Sequence, residues 1–140
     1  MKAEIKLIDG VAFDATTQSG HTVTIDGALE GGGQNKGPRP MEMLLVGLGG
    51  CTAYDVTTIL RKARQDISDL KVTLSAERAS TDPKVFVSIH VHFIITGDNI
   101  KVSTVEKAIN LSAEKYCSAS IMLGATATIT HDYEILDAIN

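Results

Sequence analysis

The chain has 140 residues, a formal net charge of −4, 44% hydrophobic and 21% charged residues, and two cysteines. That length can bury one core without staples or metals, and the globular composition excludes the disordered and fibrous classes, so a single domain over residues 1–140 is expected. The acidic balance and the lack of a basic run argue against nucleic acid or an anionic membrane as partner, leaving a small uncharged or apolar molecule as the expected one.

The first seven residues alternate charged and apolar side chains, unlike the basic start and greasy core of a secretory signal, so a cytoplasmic location is expected. Thiols are kept reduced there. Cys51 and Cys117 are therefore expected to be free, catalytic or transiently bridged rather than a permanent staple.

Taken in chain order, Ala3, Ile5 and Leu7 alternate with charges, Val11, Phe13 and Ala15 follow Gly10, and Val23 and Ile25 follow Ser19-Gly20. This period of two predicts an antiparallel meander. Residues 27–40 carry Gly31-Gly32-Gly33, Asn35, Gly37, Pro38 and Pro40, which predicts an open loop leading into the site.

Residues 41–65 read as a helix, with Val56, Ile59, Leu60 and Ala63 on one face and Arg61, Lys62 and Arg64 outside. Its first half, with Met41, Met43, Leu44, Leu45, Val46 and Leu48, has almost no polar face and calls for burial on all sides, which implies a subunit partner. The apolar stretch 41–53 is too short and glycine-rich for a bilayer, which takes about 20 residues, so no transmembrane segment is expected.

Leu70, Val72, Leu74 and Ala76 alternate with polar residues, as do Val85, Val87, Ile89, Val91, Phe93 and Ile95, predicting two strands joined by a turn at Thr81-Asp82-Pro83. A second helix is expected from Ser103, with Glu106 completing a capping box, to a stop at Gly124. Ala127, Ile129, His131, Tyr133 and Ile135 share one face of a final strand. Strands in hairpin-like groups around helices indicate an α+β fold.

Cys51 follows Gly47, Gly49 and Gly50, which destabilise a helix by about 0.8–1 kcal/mol each relative to alanine. Glycine there permits close backbone approach, or a break that aims the N–H groups of a new helix at the sulfur and favours a thiolate. Asp55, one turn on, would oppose a thiolate unless a cation such as Arg39 balanced it. A cysteine on an apolar helix is also an ordinary inert core residue, and composition leaves both readings open for each thiol.

Three segments carry a resemblance: Gly37-Pro38-Arg39-Pro40-Met41-Glu42-Met43-Leu44-Leu45, Gly49-Gly50-Cys51-Thr52, and Leu111-Ser112-Ala113-Glu114-Lys115-Tyr116-Cys117-Ser118. Together they resemble the signatures of the OsmC/Ohr family of hydroperoxide reductases. The resemblance implies an intertwined homodimer, with antiparallel sheets around long central helices and two sites at the subunit interface. It also implies a thiol peroxidase in which Cys51 attacks the peroxide and Cys117 resolves the sulfenic acid as a disulfide, restored by an external dithiol of the lipoyl type. No bound cofactor, metal or flavin is expected.

Well-studied members of that family place a glutamate directly after the proline, where Met41 stands here, and an arginine in the N-terminal strand turn, whereas residues 1–35 here contain none. Glu42 is one residue late, a turn of about 100° on a helix, so Arg39 and Glu42 are the candidate activating residues of a rearranged subgroup. The apolar neighbours Met41, Leu44, Leu48 and Met122 favour organic hydroperoxides as substrate. The alternative is a non-catalytic dimer of the same fold that senses oxidants or binds a small ligand.

Other features read as structural. His90 and His92 share the polar face of one strand with Ser88, as a solvated pair rather than a metal site. His21 and His131 have no visible partners in sequence. Gly31 to Gly33 lacks the context of a phosphate loop, and the methionines at 41, 43 and 122 read as core filler.

Overall fold

Period-two alternation near the start does set strands. In the computed structural model, which describes residues 1–139, β1 (Ala3–Asp9), β2 (Ala12–Thr17) and β3 (Thr22–Ile25) pair antiparallel in that order. The chain divides into two units, Met1–Val46 and Gly47–Asn140.

In the first unit the loop after β3 is ordered by one side chain. Asp26, only 2% exposed, accepts hydrogen bonds from the backbone N–H groups of Gly27 (2.7 Å), Gln34 (2.9 Å) and Lys36 (3.1 Å). Those donors, Gln34 first, hold its carboxyl below the ordinary carboxylate range. The loop passes so close to β3 that a Cβ on Gly37 would lie 2.0 Å from the Thr24 carbonyl oxygen. The open loop expected at residues 27–40 is thus closed by a buried acid, where hydrophobic residues were lacking.

Helix α1 (Pro40–Lys62) begins where sequence chemistry permits. Pro40 needs no N–H partner in the first turn, and Glu42 reaches back to accept from the Arg39 N–H at 3.4 Å, half of a capping box. The same carboxylate meets the Arg39 guanidinium at 3.5 Å. The helix runs unbroken through Gly47, Gly49 and Gly50, so of the two readings offered for these glycines the break before Cys51 does not occur. Gly49 lets the helix pack closely on Leu74: a Cβ there would lie 2.7 Å from Leu74 Cδ1, so that side chain would have to shift.

The apolar residues 41–53 lie within a longer helix. On length and apolar composition alone its 23 residues pass the requirement for a membrane span. Core helices of soluble proteins pass it too, and α1 sets Leu48, Thr52, Val56 and Leu60 into the protein interior.

The second unit continues with β4 (Asp66–Arg78), β5 (Phe86–Asp98), α2 (Val102–Leu111), a wide turn of π type (Ser112–Tyr116), α3 (Ser118–Leu123) and β6 (Thr128–Asp137). Sheet order is β4-β5-β6. β4 and β5 pair antiparallel, but β6 returns through α2 and α3 and lies parallel to β5, the one pairing that departs from the antiparallel expectation. With strands and helices grouped in this way the fold is α+β.

Its core is the inner face of β5, with Ile89, Val91, Phe93 and Ile95 at most 1% exposed, together with Val105 and Ala108 of α2. The expected capping box of α2 does not form. Lys101 is the cap residue, its N–H held by Gln65 Oε1 at 2.8 Å, while Glu106 instead accepts from the Tyr133 hydroxyl at 2.9 Å. A tertiary partner outcompetes the local one.

Candidate thiol site

Cys51 lies midway along α1, half-buried, and Cys117 lies at the junction of the π turn and α3, fully buried. Both are free thiols. Cys117 is the point at which the second helix breaks: its backbone is extended (φ −75°, ψ 101°), its N–H donates to the Ser112 carbonyl at 2.8 Å, and Sγ accepts from the Ser120 N–H at 3.3 Å. The helix-start geometry expected at Cys51 is therefore found at Cys117.

The sulfurs of Cys51 and Cys117 and a carboxylate oxygen of Asp55 all lie within 4.8 Å of one another. Asp55 is fixed from below: the Ser112 hydroxyl donates to Oδ2 at 3.1 Å and is itself 3.0 Å from the Thr52 hydroxyl. Ser112 is fully buried, so this short polar chain has little freedom to reorient. Asp55 was visible in sequence as one turn beyond Cys51. Thr52 and Ser112 fall within the segments that carry the family resemblance, but nothing in sequence pointed to their pairing, which depends on distant segments meeting.

Electrostatically the two thiols are unequal. Burial, then the hydrogen bond and charge of Cys51, then the Asp55 carboxylate, push the Cys117 thiol from 9.0 up to about 12, against a smaller opposing pull from the Ser120 N–H. Cys117 is held as a neutral thiol. In the reduced protein at pH 8, iodoacetamide is expected to label Cys117 about 10³-fold more slowly than an unperturbed thiol. Time-resolved peptide mass spectrometry reads this directly, and labelling at an ordinary rate would contradict the assigned electrostatics.

Arg39 and Glu42 form their own pair at the start of α1. The two sulfurs and the Asp55 oxygen also match the donor types of a thiophilic ion such as zinc, but loading one would have to displace the Cys117 proton.

A buried thiol thus stands near a half-buried one on an α+β frame. The OsmC-like protein family model matches residues 33–132, and the chain belongs to that family. It is 44% identical over 138 residues to Protein YhfA of Escherichia coli K12, covering 99% of this chain and 100% of that one. A crystal structure of a protein from Aquifex aeolicus VF5 superposes with a TM-score of 0.87 at 31% identity, covering 99% and 97% of the two chains. The organic hydroperoxide resistance protein OhrB of Bacillus subtilis shares the fold, with a TM-score of 0.63 at 16% identity over 96% and 98%.

Proposed function

We propose that the protein is a cytoplasmic thiol peroxidase that reduces organic hydroperoxides, with Cys51 peroxidatic and Cys117 resolving. The observation that carries this reading is the placement of both sulfurs within 4.8 Å. A disulfide between them requires the sulfurs to close to about 2.05 Å.

The reaction balances in three steps. The Cys51 thiolate attacks one peroxide oxygen; the S–O bond forms, the O–O bond breaks, and the leaving alkoxide takes a proton to become an alcohol. The neutral Cys51 sulfenic acid then meets Cys117. Oxidation of Cys51 removes its charge, one of the lesser causes that raise the Cys117 pKa, while burial and the Asp55 carboxylate remain. Cys117 displaces hydroxide, which leaves as water with a proton, and an external dithiol, here assigned to the lipoyl type, reduces the disulfide and is itself oxidised. The activating ion pair is assigned in this reading to Arg39 and Glu42.

A homodimer belongs to the same reading. The α1 face bearing Gly47, Gly50 and Tyr54 is exposed in the single chain, Tyr54 at 72%, as is Met122 at 75%. Apolar surface of that extent favours a partner subunit. A second reading, a dimeric oxidant sensor that turns over slowly, is favoured by one observation: the charge placed against the thiol pair is a carboxylate, Asp55.

The test is hydroperoxide consumption by purified protein with a dihydrolipoyl reductant, comparing cumene hydroperoxide with hydrogen peroxide. Faster turnover of cumene hydroperoxide is expected. One oxidation per chain followed by no turnover supports the sensor, and no oxidation at all overturns both readings.

A further inference from the structure

Away from the thiols, two histidines and two carboxylates meet on the outer face of the second sheet. His90 and His92 are two residues apart on β5, so both side chains stand on the face opposite the buried Ile89, Val91 and Phe93. The parallel register sets Thr130 beside His90, Asp132 beside His92, and Glu134 one step further along β6. His90 Nε2 and His92 Nδ1 converge on the same oxygen, Asp132 Oδ1, at 3.0 and 2.6 Å.

We propose that His90, His92 and Asp132 form a surface binding site for a divalent transition-metal ion of the zinc and copper class. Two donors each about 2.0–2.1 Å from a tetrahedral ion lie about 3.3 Å apart. To admit the ion, the two His–Asp contacts would lengthen from 3.0 and 2.6 Å to that spacing and the two rings would turn toward one another. Imidazole nitrogen with one carboxylate is a donor set that zinc, copper and nickel accept, whereas calcium and magnesium prefer oxygen alone.

One of the remaining nitrogens is held by a hydrogen bond and the other lies near a carboxylate. His90 Nδ1 is 2.7 Å from the Thr130 hydroxyl, and His92 Nε2 faces Glu134 Oε1 at 3.6 Å. Such outer partners fix the ring orientation and the tautomer that presents the other nitrogen to an ion. The Asp132 hydrogen bond raises the His92 pKa, so an ion binds there in competition with a proton. All four side chains are partly exposed, so an ion can enter without opening the fold.

The thiol site also offers metal donors, so the experiment uses the full chain with Cys51→Ser and Cys117→Ser. Isothermal titration with Zn2+ is expected to show saturable binding of one ion per chain, weakened about tenfold or more by His92→Ala and by Asp132→Asn. Circular dichroism melts check that these variants fold. Should a variant not fold, Cu2+ bound to the unaltered sheet decides by electron paramagnetic resonance: coupling to imidazole nitrogen supports the site, and its absence overturns it. Lack of saturable Zn2+ binding, or affinity unchanged by both substitutions, likewise overturns the proposal.

Discussion

Cys51→Ser is expected to lower hydroperoxide turnover by about 10³-fold or more, because serine cannot supply the thiolate that attacks the O–O bond. Cys51 is half-buried rather than enclosed, so it is the member of the pair that substrate can reach. Cys117, fully buried and pushed up to about 12, is a poor first nucleophile. Cys117→Ser should therefore behave differently: the first peroxide is consumed, and Cys51 then advances to the sulfinic state because no neighbouring thiol captures the sulfenic acid. Equal loss in both variants at the first turnover would remove the distinction between the two roles. Steady-state and single-turnover assays together separate these outcomes.

Phe93→Ala is expected to destabilise the protein by about 3–5 kcal/mol. Phe93 is on the middle strand of the second sheet, fully buried, and stacks on the His131 ring with centroids 6.3 Å apart and 24° between planes. Both neighbouring strands restrict collapse into the cavity, since β4 and β6 are hydrogen-bonded on either side. A loss of that size is a large part of the 5–15 kcal/mol that holds a typical domain together. Urea denaturation should show a lower midpoint with little change in slope. A loss under about 1 kcal/mol would contradict the placement of the core on the inner face of β5.

The meander, the faces of β4, β5 and β6, and the existence of α1 were all legible in the sequence. Each depends on local periodicity, which in β4, β5 and β6 goes with burial on one side. Features that depend on distant partners were not. Ser103 and Glu106 satisfy the local pattern of a capping box, yet Tyr133 on β6 takes the Glu106 carboxylate. The glycines before Cys51 suggested a break, but close packing of Gly49 against Leu74 explains one of them while the helix stays whole.

Asp26 gave no signal that it would order the loop, because its three donors are brought to it only by the loop's final path. His90 and His92 read as a solvated pair because their acidic partners lie on β6, and the parallel crossover that brings β6 beside β5 has no marker in local sequence. Facing of the two cysteines was available only through the resemblance of residues 37–45, 49–52 and 111–118 to a known family. Spacing along the chain could not show it.

The most direct measurement is peptide mapping under non-reducing conditions after the reduced protein is treated with one equivalent of cumene hydroperoxide. The proposed function predicts one disulfide joining the Cys51 and Cys117 peptides in each chain, with cumyl alcohol formed in equal amount. Both cysteines remaining as thiols, or Cys51 carried to the sulfinic acid while Cys117 stays reduced, would contradict it.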